Sequence, residues 1–232
     1  MIDIHTHVLP CIDDGSQSVE ESLKLLDIMV SSGVRKIVAT PHYYCDMISI
    51  EDFLEKRREA HEKIVHRKPH GIDIILGAEV KLEYDIHKKD LRKLTIDGTD
   101  YILIEMPYTR WDPWVFEELF KITAKHGLNI IIAHIDRYID MVCSEKMDEL
   151  FKMHLKYQVN VDYLGGFLKK SNAMTLIKQD VPHFLGSDCH NLTTRIPCFG
   201  EAVEKIRSRC GEEYVKYYMS NAKKMLANKS LD

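Results

Sequence analysis

Histidines and carboxylates follow several apolar segments of this chain, and both residue types bind metal ions. Residues 1–15 place His5 and His7 two positions apart on a predicted strand, with Asp14 in the turn that follows. Side chains at this spacing share one face of a strand, so both imidazoles can reach one point. Imidazole and carboxylate together suit Zn, Mn or Fe. The segment therefore predicts one part of a metal site. The simpler alternative is a strand with two surface histidines.

Further candidate ligands follow later apolar segments, at the predicted strand ends. A lone histidine there is usually an ordinary loop residue, but a set of nine His, Asp and Glu favours a metal site. Since about four such ligands hold one ion, nine predict two or three divalent ions, with Mn, Fe or Zn as candidates. Glu79 is the predicted bridge, because a carboxylate offers one oxygen to each of two ions. The further candidates are His42, Glu79, Glu105, His134, Asp188 and His190.

Two arginines lie close to these ligands in the sequence. Arg137 follows His134 by three residues, and Arg195 follows His190 by five. Clustered divalent ions activate water and favour hydrolysis, above all of phosphate esters. A planar guanidinium binds phosphate through two hydrogen bonds, so both arginines are candidates for phosphate contacts. The alternative for either one alone is a surface ion pair.

The elements that must position these residues alternate between strand and helix. Apolar strands are predicted at residues 2–7, 36–40, 72–77, 101–104, 129–133, 159–162 and 183–187, and helices between most of them, including residues 145–157 and 171–179. This alternation predicts a parallel sheet, and continuous apolar strands predict burial on both faces. We expect a single α/β domain over residues 1–232, a distorted seven-stranded βα barrel of the TIM type. An open doubly wound sheet is the alternative. Barrel enzymes carry their sites at the carboxyl ends of their strands, where the candidate ligands fall.

The bulk composition excludes several classes of protein. The net charge is −4, so the chain lacks the basic surface that nucleic-acid binding requires. No apolar run approaches the roughly 18 residues that span a bilayer, and the N-terminus lacks the pattern of a signal peptide. Six widely separated cysteines in a chain of 232 residues are expected to be reduced thiols. These features predict a cytoplasmic protein without direct membrane insertion.

Several motifs carry a family resemblance: MIDIHTH…DDG, ATPH, GAE, LIE, AHIDRY and SDCHN…RIP. In order and spacing they resemble the PHP (polymerase and histidinol phosphatase) superfamily, and more closely its bacterial protein-tyrosine phosphatases of capsular and exopolysaccharide loci. The resemblance implies a distorted βα barrel with three metals, manganese being the first candidate. One ion would be held by His5, His7, Glu79 and Asp188, the second by Glu79, Glu105 and His134, and the third by Asp14, His42 and His190.

The resemblance also implies a reaction and a partner. A metal-bridging hydroxide would attack phosphorus in line, while Arg137 and Arg195 bind the phosphoryl oxygens. The implied substrate is the phosphotyrosine tail of a membrane-associated tyrosine kinase that regulates polysaccharide synthesis, so the enzyme would act near the inner face of the membrane. Stacking of Tyr43 or Tyr44 on phosphotyrosine is a hypothesis that the resemblance does not supply.

Four alternatives remain open at this point. Residues 189–195 fit C-x5-R, the signature of cysteine-dependent tyrosine phosphatases, but no glycine stands between Cys189 and Arg195 to bring backbone N–H groups onto phosphate. A small-molecule phosphoesterase such as a histidinol-phosphate phosphatase could use the same ligands. An amidohydrolase or deoxyribonuclease also opens with HxH, although it would end with a lone Asp in place of Asp188 and His190. The alternative that is not an enzyme is an inactive PHP module that serves as a scaffold.

Overall fold

The computed structural model describes residues 1–161 and 172–231. The strands of these residues are β1 Ile2–Thr6, β2 Lys36–Ala39, β3 His42–Tyr43, β4 Asp73–Leu76, β5 Glu79–Lys81, β6 Tyr101–Glu105, β7 Asn129–Ile132, β8 Lys156–Asn160 and β9 Phe184–Gly186. The helices are α1 Val19–Ser31, α2 Ile50–Val65, α3 Pro113–His126, α4 Ser144–Phe151, α5 Asn172–Lys178, α6 Phe199–Cys210 and α7 Glu212–Leu226. Short 3₁₀ helices span Ile86–Lys88, Leu91–Leu94 and Ile135–Arg137. None of the helices described is long and apolar enough to cross a membrane.

The strands pair in parallel and form a curled sheet. One sheet has the order β1-β2-β4, and the other has the order β3-β5-β6-β7-β8-β9. A parallel bridge between Thr6 and Cys189 brings the chain after β9 beside the end of β1. The result is the expected α/β fold with a parallel sheet, curled into a half-barrel, and the carboxyl ends of its strands meet on one side.

Two of the predicted strands are interrupted, which explains why the described residues contain nine short strands. The strand expected at residues 36–40 breaks at Pro41, which has no N–H to give to a ladder, and resumes as β3. The strand expected at residues 72–77 likewise breaks before β5. The register sets His42 opposite Glu79 and Lys81 opposite Glu105.

The region after β7 differs from the sequence prediction. The helix expected over residues 145–157 ends at Phe151, and β8 begins at Lys156, three residues before the strand expected at 159–162. His154, at φ 54°, takes a left-handed conformation between them, which a continuous helix excludes. Residue 162 and residue 171, the first of the helix expected over 171–179, lie outside the described residues.

Alternation along the strands separates the core into two layers. In β6, Ile102 and Ile104 pack in the large cluster that includes the helices, whereas Tyr101 and Leu103 belong to a second cluster with Ile4. Both faces are therefore buried, as in parallel sheets covered by helices. Glu105 continues the row of Tyr101 and Leu103 and carries a carboxylate at the end of that row.

The helix ends follow the signals in the sequence. The Ser18 side chain accepts a hydrogen bond from the Glu21 N–H and caps α1, while the Glu21 carboxylate accepts one from the Gln17 N–H. Gly127 ends α3 at φ 65°, a left-handed conformation that glycine adopts without strain. Ser18 therefore closes the loop that carries Asp14, and Gly127 leads the chain into β7.

Candidate metal centre

The two histidines of β1 direct their Nε2 atoms at each other. The His5 and His7 Nε2 atoms are 3.1 Å apart, and both side chains are buried. His5 Nδ1 lies 3.1 Å from Gln158 Oε1, and His7 Nδ1 lies 2.7 Å from Asp13 Oδ2. Because these oxygens are acceptors, the Nδ1 atoms carry the hydrogens in the neutral imidazoles and each Nε2 has a lone pair. Two lone pairs facing each other at this distance fit a cation between them.

Two carboxylates complete this first group. Glu79 Oε2 lies 3.1 Å from both Nε2 atoms, and Asp188 Oδ1 lies 3.4 Å from both. Among the described residues, Asp188 Oδ1 is buried and has no hydrogen-bond donor. A buried carboxylate oxygen without a donor is costly, so this atom also fits a bound cation. These four side chains are the set that the resemblance implies for one ion.

Glu79 also contacts the candidate ligands of a second group. Its Oε1 atom lies 2.7 Å from His134 Nε2, which is 3.7 Å from Glu105 Oε1. His42 Nδ1 lies 3.2 Å from Glu79 Oε2 and 3.9 Å from Glu105 Oε2. Glu79 Oε1 thus faces His134, whereas Oε2 faces His5, His7 and His42. Two oxygens directed at different ligands are the geometry that a bridging carboxylate requires.

A third group lies toward the solvent. Asp14 Oδ1 is 3.5 Å from His42 Nε2 and 3.3 Å from His190 Nε2, and His7 completes the group. Asp14 is the exposed member, with 66% of its side chain accessible. All nine candidate ligands predicted from the sequence therefore lie in one place, at the carboxyl ends of the strands.

The clustered carboxylates of the site favour the binding of cations. Burial, together with the neighbouring Glu79 carboxylate, raises the pKa of Glu105 to about 8. Burial opposes ionisation of Asp188, but His5, His7 and Arg137 outweigh it and hold its pKa well below the usual range. Divalent ions offset such negative charge without needing a proton, and a mixed N and O ligand set accepts Mn, Fe or Zn. The clustered carboxylates are those of Asp13, Asp14, Glu79, Glu105 and Asp188.

Both candidate arginines converge on the metal centre. The Arg137 Nη2 atom donates to Asp188 Oδ2 at 2.5 Å, and the Arg195 Nη2 atom pairs with the same oxygen. Arg195 Nη1 also lies 2.7 Å from His190 Nε2. The guanidinium groups are therefore within reach of an anion bound at the ligand groups, and the interpretation of either arginine as a surface ion pair is wrong.

Two ligands occupy a left-handed backbone conformation at the point where a strand ends. His134 has φ 32° and Asp188 has φ 51°, and each lies two residues beyond the end of its strand, β7 or β9. Residues other than glycine rarely adopt these angles, and such strain is concentrated at functional sites. The turn sends the chain away from the strand and leaves the side chain at its carboxyl end.

Four residues that the sequence analysis did not select position the ligands and arginines. Asp13 and Gln158 hold the Nδ1 atoms of His7 and His5. Asn160 donates to Asp188 Oδ2 at 2.8 Å, and Arg137 donates to the Tyr108 hydroxyl at 3.2 Å. The Asp-Asp-Gly turn was the available signal for Asp13. Gln158 was missed because β8 begins earlier than predicted. Asn160 lies within the predicted strand, and its contact with Asp188, 28 positions away, left no local signal.

Gly15 allows the Asp-Asp-Gly turn to pack against β1. A Cβ atom at this position would lie 2.3 Å from the His7 carbonyl oxygen and 2.6 Å from His7 Cβ. The Ser16 N–H donates to that same carbonyl at 3.1 Å. A side chain at residue 15 would push Asp13 and Asp14 away from the ligand groups.

Cys189 lies outside the chemistry of the site. Its side chain is fully buried, and burial raises the pKa of its thiol to about 12. A thiol in this environment does not form the nucleophilic thiolate that a cysteine-dependent phosphatase needs. The buried position of Cys189 therefore does not fit the C-x5-R interpretation, in which the thiol must reach the phosphate. All six cysteines are free, as predicted.

The hypothesis about the two tyrosines is wrong for Tyr43. Its ring is buried in the core, with its centroid 5.2 Å from that of Phe53. Tyr44 is half-buried and stacks on His42, with centroids 5.2 Å apart and ring planes inclined by 19°. Only Tyr44 therefore lies where a bound substrate could contact it.

A sequence model of the family described as capsular polysaccharide synthesis, CpsB/CapC, matches residues 1–227. The chain belongs to the CpsB/CapC family. It is 31% identical to the tyrosine-protein phosphatase YwqE of Bacillus subtilis (strain 168), over 100% of this chain and 93% of that protein. It is 30% identical to the tyrosine-protein phosphatase CpsB of Streptococcus agalactiae serotype III, over 98% of this chain and 99% of that protein.

Solved structures agree with this membership. A crystal structure from work on YwqE of Bacillus subtilis and CpsB of Streptococcus pneumoniae, described as unique metal-dependent tyrosine phosphatases, superposes with a TM-score of 0.83 at 26% identity. The match covers 99% of this chain and 96% of that one. The phosphotriesterase homology protein of Escherichia coli superposes with a TM-score of 0.58 at 10% identity, over 97% and 98% of the two chains, and shares the fold alone.

Proposed function

We propose that this CpsB/CapC-family chain is a metal-dependent protein-tyrosine phosphatase. Its substrate would be phosphotyrosine on a tyrosine autokinase that regulates capsular or exopolysaccharide synthesis. The observation that carries the proposal is the convergence of the His5 and His7 Nε2 atoms with Glu79 Oε2 and Asp188 Oδ1. The tyrosine phosphatases among the relatives support the reaction.

The three ligand groups would hold two or three divalent ions, with manganese the first candidate. When bound, such ions lower the pKa of water and neutralise charge on the phosphoryl oxygens. We assign one ion to the group of His5, His7, Glu79 and Asp188, the second to Glu79, Glu105 and His134, and the third to Asp14, His42 and His190.

The remaining residues orient the ligands and bind the phosphoryl group. Asp13 and Gln158 hold the imidazoles of His7 and His5 so that the Nε2 atoms face inward. Arg137 and Arg195, which both contact Asp188, would donate to the phosphoryl oxygens and stabilise the charge on them during in-line displacement. A phenolate leaving group, with a pKa of about 10, requires less stabilisation than an alkoxide.

The predicted seven-stranded barrel is obtained if each interrupted strand is counted as one. Treating β2 with β3, and β4 with β5, as single strands gives a ring of seven that closes through the bridge from Thr6 to Cys189. We assign this arrangement to a distorted PHP-type barrel and residues 1–232 to one domain. The proposed partner is the phosphotyrosine tail of a membrane-associated kinase, so the enzyme would work in the cytoplasm near the inner face of the membrane.

The test compares substrates on the manganese-reconstituted protein. We expect a phosphotyrosine peptide to be hydrolysed with a kcat/KM at least tenfold above that for histidinol phosphate. Glu79→Gln keeps the shape of the bridging side chain but removes its charge, and we expect it to lose bound manganese and activity together. Glu117→Gln, on the exposed surface of α3, is the matched control. Preference for histidinol phosphate would contradict the proposed substrate.

A further inference from the structure

A cavity of about 470 Å³ opens beside the ligand groups, between the loop after β1 and the start of α2. Its volume lies in the range of small-molecule sites, roughly 300–1,000 Å³. Two of its lining residues, Asp14 and His42, also belong to the third ligand group. A molecule in this cavity would therefore touch the metal centre directly.

The rest of the lining is mostly apolar. Ile12, Met47 and Ile48 line the cavity together with the ring of Tyr44, and Lys56 is the one lysine among the described lining residues. Met47 leaves 77% of its surface exposed, so its side chain is accessible to a group that enters the cavity. An apolar wall against a charged metal centre fits a ligand with one charged end and one apolar end.

Tyr44 forms a fixed wall of this cavity. Its ring stacks on His42, and Lys81 Nζ lies 5.2 Å from the ring centroid. Contacts of this kind stabilise a ring orientation. Since the Tyr44 ring is held in place, Met47 and Ile48 are the lining residues that can change side-chain conformation around an apolar group in the cavity.

The two arginines lie beside the metal centre but outside the lining of the cavity. Both contact Asp188, and Arg195 contacts His190, but neither lines the cavity. Because Asp14 and His42 belong both to the third ligand group and to the cavity lining, a phosphoryl group bound at the ligand groups can direct its ester oxygen toward them. The group attached to that oxygen then enters the cavity.

We propose that this cavity is the leaving-group subsite, and that Met47 and Ile48 select aryl over alkyl phosphate esters by packing on the aromatic ring. The inference rests on the proposed function and specifies where phosphotyrosine is recognised. Burying a phenyl ring here would stabilise aryl binding by roughly 10- to 100-fold over a methyl group.

Two phosphonates that are not hydrolysed test the subsite by binding alone. Phenylphosphonate and methylphosphonate share the charged end and differ in the group that the cavity would hold. Calorimetric titration of the manganese-reconstituted protein gives the dissociation constant of each. We expect phenylphosphonate to bind at least tenfold more tightly. The combined variant Met47→Ser and Ile48→Ser should reduce that preference by about five- to tenfold, with methylphosphonate binding unchanged.

Met141→Ser is the matched control, because Met141 is also an exposed methionine but does not line the cavity. It should keep the wild-type preference. Equal binding of the two phosphonates to the wild-type protein, or an unchanged preference in the double variant, would overturn the subsite while leaving chelator-sensitive hydrolysis intact. Failure of both phosphonates to bind would contradict the phosphatase proposal as well.

Discussion

Asp13 is predicted to control metal affinity although it is not one of the proposed ligands. Its Oδ2 atom accepts from His7 Nδ1 at 2.7 Å and from the His42 N–H at 3.0 Å, and its Oδ1 atom accepts from the Gly15 N–H at 2.9 Å. Asp13→Ala removes all three hydrogen bonds, so the His7 ring loses its fixed orientation. Loss of such a partner typically weakens metal binding by about 10- to 100-fold, or about 1.4–2.7 kcal/mol.

The assay is manganese binding to metal-free protein, followed by hydrolysis of a phosphotyrosine peptide at increasing manganese. The variant should need about 10- to 100-fold more manganese for half-maximal activity and should recover much of its rate at saturation. Asp46→Ala is the matched control, since Asp46 is exposed in the loop after β3. A variant at Asp13 that binds manganese as tightly as the wild-type protein would refute the role assigned to this carboxylate.

Further variants separate the roles assigned to other residues. Cys189→Ser should keep kcat within about twofold because the thiol is buried and protonated; a loss of activity with full metal content would restore the cysteine mechanism. Arg137→Ala should lower kcat/KM for a phosphotyrosine peptide by about 10²- to 10³-fold with metal content unchanged, and an undiminished value would exclude its contact with the phosphoryl group. Tyr108→Phe removes the hydroxyl that accepts from Arg137 and should lower kcat/KM by about three- to tenfold, measured beside Tyr84→Phe as an exposed control. Gly15→Ala should weaken manganese binding because its Cβ would meet His7, and unchanged affinity would show that the turn adapts.

The ligands could be predicted because each one follows an apolar segment that is easy to recognise. His134 lies two residues after β7, and Glu105 is the last residue of β6, so the parallel pairing of these strands brings both to one edge. The two-residue spacing of His5 and His7 likewise sets both rings on one side of the chain. The apolar segments and the parallel order of the strands were sufficient to predict these ligand positions.

The residues that orient the ligands were harder to predict because their role depends on contacts distant in sequence. Gln158 orients the His5 ring although it lies 153 positions away in the sequence. The start of its strand, β8, was predicted three residues too late. The burial of Tyr43 beside a half-buried Tyr44 depends on how α2 packs, through Phe53, on the end of β3. The break between β2 and β3 falls at Pro41, whereas the apolar run over residues 72–77 gives no sign of the break between β4 and β5.

The central claim is that divalent ions held by these side chains hydrolyse phosphotyrosine. The most direct measurement is hydrolysis of a phosphotyrosine peptide by the protein after chelation and again after manganese is restored, with the bound metal counted in each state. The account predicts loss of activity with the metal and recovery as two or three ions rebind. Full activity in protein shown to be free of metal would contradict it.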